Sequence, residues 1–118
     1  MKTKRSVGVI GLGIMGSAMA SNLLQAGFRV VGYDVLPAAR RAFARGGGVA
    51  ARSTGEIARR VPIAVTSLPS VAALEAVASE LARAPHQGLI VVETSTLPLA
   101  AKEAARRMLA RKAITLLD

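Results

Sequence analysis

Three glycines, Gly11, Gly13 and Gly16, follow directly on a short run rich in β-branched residues, Val7 to Ile10, and a helix-compatible stretch opens at Ile14. That combination leaves few folds open. Gly11 lets the chain turn tightly at a strand end. Gly13 removes a side chain where a diphosphate must approach the backbone, and Gly16 lets the helix pack close to the strand. A helix mouth formed this way offers unpaired N–H groups and the positive end of the helix dipole, so it holds an anion without a basic side chain. By itself the G-x-G-x-x-G pattern is weak, because any glycine-rich turn can produce it. Asp34 adds specificity: it lies 23 residues after Gly11, at the end of the next apolar run. There its carboxylate can accept hydrogen bonds from adenosine ribose hydroxyls and repel a 2′-phosphate. The expected ligand is NAD, bound along Gly11, Leu12, Gly13, Ile14, Met15 and Gly16. Arg40 and Arg41 follow Asp34 closely, so NADP stays open as the less favoured cofactor.

Beyond that turn the chain alternates strand and helix. Ile14 to Ala26 predicts a helix with Ile14, Ala18 and Leu23 toward the sheet, closed by Gly27. Arg29 to Tyr33 is a strand, and Pro37 opens a helix that ends at Gly46 to Gly48. Val49 and Ala50 form a short strand. Ser53 and Glu56 have capping-box spacing for a brief helix ending near Arg60. Pro62 to Ser67, Leu89 to Val92 and Ala113 to Leu117 read as further strands, with helices over Ser70 to Ala84 and Pro98 to Arg111. Apolar strands separated by helices imply a parallel sheet covered on both faces. The expected fold class is α/β, a doubly wound, Rossmann-type three-layer sheet of about six strands, in one domain over residues 1–118.

Composition narrows the chemistry. There is no cysteine, which removes disulfides, thiolate nucleophiles and Cys-based metal sites. One histidine and no clustered acids make a metal site unexpected. His86 falls in a turn at the amino-terminal edge of the strands, the wrong edge for general acid–base work. The only tyrosine, Tyr33, has Pro37 four positions later, so no Tyr-x-x-x-Lys pair exists. The formal charge of +9 fits a solvated arginine-rich surface, a phosphate-bearing ligand or nonspecific nucleic-acid contact. With aromatics at 3% there is nothing to stack bases, so no specific nucleic acid is expected. No membrane span is expected either, and the expected location is cytoplasmic.

Ligands of this fold gather beyond the carboxyl ends of the strands. Leu68, Pro69 and Ser70 leave the fourth strand there, as an apolar edge against a cofactor or as a helix start. Glu93, Thr94, Ser95 and Thr96 leave the fifth. Their hydroxyls can meet a nicotinamide ribose or substrate, or Ser95 or Thr96 can cap the following helix.

Taken together, these segments resemble the 3-hydroxyisobutyrate dehydrogenase family, β-hydroxyacid dehydrogenases related to 6-phosphogluconate dehydrogenase. Val7 to Gly16, continued by Met19-Ala20 and Asn22-Leu23, is similar to the family's cofactor signature. Tyr33-Asp34 with Pro37, Ser67 to Ser70, and Glu93 to Thr96 resemble its ribose-binding strand end and its two ligand-edge loops. The resemblance implies cofactor contacts for Tyr33, Leu68, Pro69, Ala73 and Thr96, with Ser95 and Thr96 adjacent to substrate. Asp118 resembles the start of the family's substrate-binding segment, so the substrate serine and the catalytic lysine and asparagine are expected beyond it, with an all-helical domain. The sequence thus reads as a domain truncated before that second domain, without catalytic residues and inactive alone. Lys102 and Lys112 are expected to face water. The implied parent is an NAD-dependent oxidoreductase acting on a small hydroxy-carboxylate, a homo-oligomer through the missing domain. A non-catalytic nucleotide-sensing domain and an NADP-preferring reductase of the same family are the alternatives.

Overall fold

The computed structural model describes residues 5–118. Six strands and five helices alternate: β1 (Ser6–Ile10), α1 (Ile14–Gln25), β2 (Arg29–Tyr33), α2 (Pro37–Arg45), β3 (Val49–Ala50), α3 (Thr54–Arg60), β4 (Ile63–Thr66), α4 (Val71–Arg83), β5 (Ile90–Glu93), α5 (Leu99–Ala110) and β6 (Thr115–Leu117). The strands form one sheet in the order β3-β2-β1-β4-β5-β6, and every pairing is parallel. This is the doubly wound, Rossmann-type arrangement expected from the alternation. The order reverses beside β1, whose neighbours β2 and β4 carry the chain away in opposite directions. A crevice therefore opens above the β1 tip, where such folds bind ligands.

Side-chain alternation along the strands sorts the core into two layers. Val9 and Val30 face α1 and α2, together with Leu12, Ala20 and Phe43. Ile10 and Val31 face the other way, toward Ile57 on α3, Leu74, Ala78 and Leu81 on α4, and Ala105 and Leu109 on α5. Each fully buried Leu or Ile contributes roughly 1.5–3 kcal/mol of transfer free energy, so the three-helix face holds most of the stabilising area. Phe43 lies so close to β2 that a Cβ on Gly32 would fall 2.6 Å from its ring.

Local signals set the helix ends. Gly27 adopts φ +96°, and the Phe28 N–H reaches the Leu23 carbonyl at 3.1 Å while Gly27 bonds Leu24, a Schellman closure. Ser53 accepts the Glu56 N–H at 3.1 Å, as the capping spacing predicts. Glu56 reaches back to the N–H of Arg52 at 2.8 Å, one residue before the usual partner. The Arg52 amide, and then Arg60, hold the Glu56 carboxyl below its ordinary pKa.

Three expectations need correction. Ile14 and Ala18 do not face the sheet: both are exposed, Ile14 at 91%. Gly16 and Ala20 are the buried residues of α1, since its buried stripe starts only where Gly16 permits contact. β6 begins at Thr115 rather than Ala113, because Ala113 turns through φ +59° to close α5. Lys102 does not face water, as described below; Lys112 does. No described helix is long and apolar enough to cross a membrane.

Candidate functional site

At the tip of β1 the backbone itself builds the site. Gly11 has φ +96°, and a Cβ there would lie 2.0 Å from the Ser67 carbonyl oxygen. A Cβ on Gly16 would lie 1.8 Å from the Gly11 carbonyl oxygen. The fold requires both residues to lack a side chain. Gly13 is different: it is the N-cap of α1, with φ −73°, and nothing lies within 4 Å of its virtual Cβ. The first bond of the α1 ladder runs from the Ser17 N–H to the Gly13 carbonyl at 2.8 Å. The amides of Ile14, Met15 and Gly16 precede it and so have no partner within the helix.

Asp34 is held at the β2 end by two amides. Its Oδ2 accepts the Leu12 N–H at 2.8 Å and its Oδ1 accepts the Leu36 N–H at 2.9 Å. The carboxylate is thereby fixed beside the glycine turn, and each oxygen keeps a lone pair for another donor. Arg40 donates to the Asp34 main-chain carbonyl at 2.7 Å, with its guanidinium 5.5 Å from the Tyr33 ring centre. It is thus tied to the strand end.

Together these groups border a cleft of about 510 Å³. Its lining contains Gly11, Gly13, Ile14, Met15, Tyr33, Asp34, Leu68, Pro69 and Ala73 from the expected set. Leu12 is buried just beneath, with its amide committed to Asp34, and Gly16 is buried against Gly11. The cleft also uses Thr54 and, on α4, Ala76, Val77 and Glu80, which sequence reasoning left out. The spacing of the three α4 residues from Ala73, at three, four and seven positions, is the helical signal that could have found them; Thr54 has no such signal.

Of the two sequence alternatives for the loop after β5, the helix cap does not hold. Neither Ser95 nor Thr96 caps α5; Pro98 is its N-cap, without a side-chain bond. Ser95 is buried. Its hydroxyl accepts the Leu68 N–H at 2.7 Å and donates to Glu93, while its own N–H donates to Glu93 Oε1 at 3.0 Å. Thr66 donates to the same oxygen at 3.1 Å. Glu93 is 1% exposed, and its Oε2 faces Lys102 Nζ at 3.1 Å as an ion pair outside hydrogen-bond geometry. Lys102 donates to Asp118 Oδ1 at 2.8 Å. That bond, aided by Glu93 and opposed by desolvation, raises the Lys102 pKa above its ordinary 10.5. No sequence signal joined Glu93 to Lys102, because their pairing crosses from β5 to a different element. Thr96 is exposed at the same sheet edge but is not among the cleft-lining residues.

His86 sits at the opposite edge. Its Nδ1 accepts the Leu89 N–H at 3.2 Å, which leaves Nε2–H to donate to the Lys112 carbonyl at 2.8 Å. The ring fastens two turns together. Among the described residues no group of His, Asp and Glu is placed to hold a metal ion.

Residues 6–118 match the family described as the NAD binding domain of 6-phosphogluconate dehydrogenase. The chain belongs to that family. This NAD-binding domain is 38% identical over 117 residues to L-threonate dehydrogenase of Cupriavidus necator, covering 97% of the chain and 39% of that protein. It is 34% identical over 112 residues to the mitochondrial 3-hydroxyisobutyrate dehydrogenase of Bos taurus, covering 92% of the chain and 33% of the relative. The 3-hydroxyisobutyrate dehydrogenase of Mycobacterium tuberculosis superposes with a TM-score of 0.90 at 23% identity, over 97% of this chain and 39% of that one, which shows the shared fold. The domain thus spans under half the length of these dehydrogenases. Its family is one of nicotinamide-dinucleotide binders, as the glycine turn and Asp34 implied.

Proposed function

We propose that this chain seats NAD across the β1 tip and supplies the cofactor half of an oxidoreductase acting on a small β-hydroxyacid. The observation that carries the reading is Gly13. Packing explains Gly11 and Gly16, whereas nothing lies within 4 Å of a Cβ at Gly13, so the space beside this N-cap is open. An anionic ligand would use that space, because it must come within hydrogen-bond reach of the first-turn amides.

The dinucleotide fits the residues present. Amides at the α1 mouth hold the diphosphate against the positive end of the helix dipole. Asp34, oriented by the Leu12 and Leu36 amides, accepts from the adenosine ribose. Its fixed negative charge favours NAD over NADP, while Arg40 is occupied by the strand end. Leu68, Pro69 and Ala73 form the apolar wall. Ser95 acts indirectly, by holding the Leu68 amide. Thr96 lies nearer the nicotinamide side of the edge, where substrate also approaches. When bound, the cofactor supplies a hydride acceptor or donor. Lys102 is committed to Glu93 and Asp118, so it is not the proton carrier of the reaction.

Calorimetric titration tests both parts. NAD should bind the wild-type chain, and Gly13→Asp should weaken it by at least about tenfold, since it sets a carboxylate in the diphosphate path. Equal affinity would remove the diphosphate from this turn. Asp34→Ala should lower the ratio of NAD to NADP affinity by about tenfold; an unchanged ratio would end the NAD preference.

A further inference from the structure

Among the described residues, two charged side chains line the cleft. Asp34 stands at the β2 end. Glu80 stands on α4, seven residues and about 10 Å of helix beyond Ala73, on the face that Ala76 and Val77 share. Side chains on a helix lean toward its N-terminus, so the Glu80 carboxyl is carried back toward Ala76 and Val77 and the cleft they line. Among the described residues, none of the ion pairs or side-chain hydrogen bonds includes Glu80. The ion pairs belong to Glu56, Glu93, Glu103 and Asp118. Glu80 is partly exposed, and its carboxylate stands on a mostly apolar wall, free to accept a hydrogen bond from a ligand laid against it.

We propose that Glu80 reads the base of the bound dinucleotide, selecting adenine through its exocyclic amine. The inference rests on the cofactor reading above and adds to it a residue that determines base specificity. Two stations along the cleft are fixed by that reading: the diphosphate at the α1 mouth and the ribose at Asp34. The base must then lie on the remaining wall, built by Tyr33, Thr54, Val77 and Glu80. A negative charge at this end repels phosphate and helps set the direction in which the ligand lies. Adenine presents an N–H donor at its 6-position, which a carboxylate accepts. Hypoxanthine presents a carbonyl oxygen at the same place, and two acceptors then face each other.

The experiment compares equilibrium binding of NAD and of nicotinamide hypoxanthine dinucleotide to the wild-type chain, Glu80→Ala and Glu80→Gln. Wild type should favour NAD by about tenfold or more, the size of a hydrogen bond to a charged group set against an unpaired acceptor. Glu80→Ala should bring the two ligands within about twofold, chiefly by weakening NAD. Glu80→Gln should bind the hypoxanthine analogue more tightly than wild type does, because its amide can donate to the carbonyl. A purely packing role for Glu80 would not produce that reversal. Alanine and glutamine both suit a helix interior, so the unfolding midpoints should stay near wild type. A wild-type chain that does not discriminate, or a ratio unchanged in Glu80→Ala, overturns the assignment while leaving the cofactor site standing. Failure of wild type to bind NAD at all overturns both.

Discussion

The sheet's carboxyl edge holds two regions built on opposite plans. At the β1–α1 turn the working parts are main-chain amides, and the residues that matter are notable for what they lack. At the β4–β5 loops the working parts are side chains, with one buried carboxylate gathering Thr66, Ser95 and Lys102 around it. The first plan leaves main-chain donors uncapped by any side chain at the α1 mouth. The second fills its own interior and presents its outer surface, Ser67, Leu68 and Pro69, to the cleft. A ligand site therefore needs both, one region to hold charge and one to hold position.

Substitutions can break this contrast, and the largest effect should come from the glycine turn. Gly16→Ala places a methyl group against the Gly11 carbonyl and must shift the backbone, which should cost about 3 kcal/mol or more in urea unfolding. An unchanged midpoint would mean that the turn is looser than its geometry implies. Next comes Lys102→Met, which strands the Glu93 carboxylate in the core and should lower the thermal midpoint by roughly 5–10 °C. Because pairing raises the Lys102 pKa, its contribution is complete below pH 10.5 and is lost as pH climbs through the higher folded value. Wild type should accordingly lose stability above that pH, and Lys102→Met should lose less there. Parallel alkaline unfolding curves for the two proteins would contradict this. Smallest of all is the stability effect of Gly13→Asp, within about 0.5 kcal/mol of wild type, since aspartate is itself a favourable N-cap. A protein that keeps its fold and loses its ligand is the sharpest form of the contrast. A large drop in the unfolding midpoint would blur it.

The same contrast explains what could be read from the chain. The strand alternation, the Pro37 helix start, the Gly27 closure and the Ser53 cap are all written in local residue order, and the structure reproduces them. So is the glycine turn, whose spacing to Asp34 places the hydrogen bond to Leu12. Ile14 misled because a helix period says which residues align, not where the sheet stops; its side chain stands beyond the strand end and lines the cleft. Glu93 and Lys102 were out of reach for another reason. Their meeting depends on how α5 lies beside β5, and nothing in the residues between them encodes that distance.

One consequence follows from the place of β1 in the sheet. Gly8 pairs with Val31 on one side and Ala64 on the other, so β1 is the seam between an early and a late stretch of chain. The cleft draws Tyr33 and Asp34 from the early stretch and Leu68 and Ala73 from the late one. An occupant would act as a clasp across that seam. At a hundredfold excess over its Kd it would add about 2.7 kcal/mol against global opening. Amide exchange should then slow in β2 and β4 alike, rather than only around the glycines.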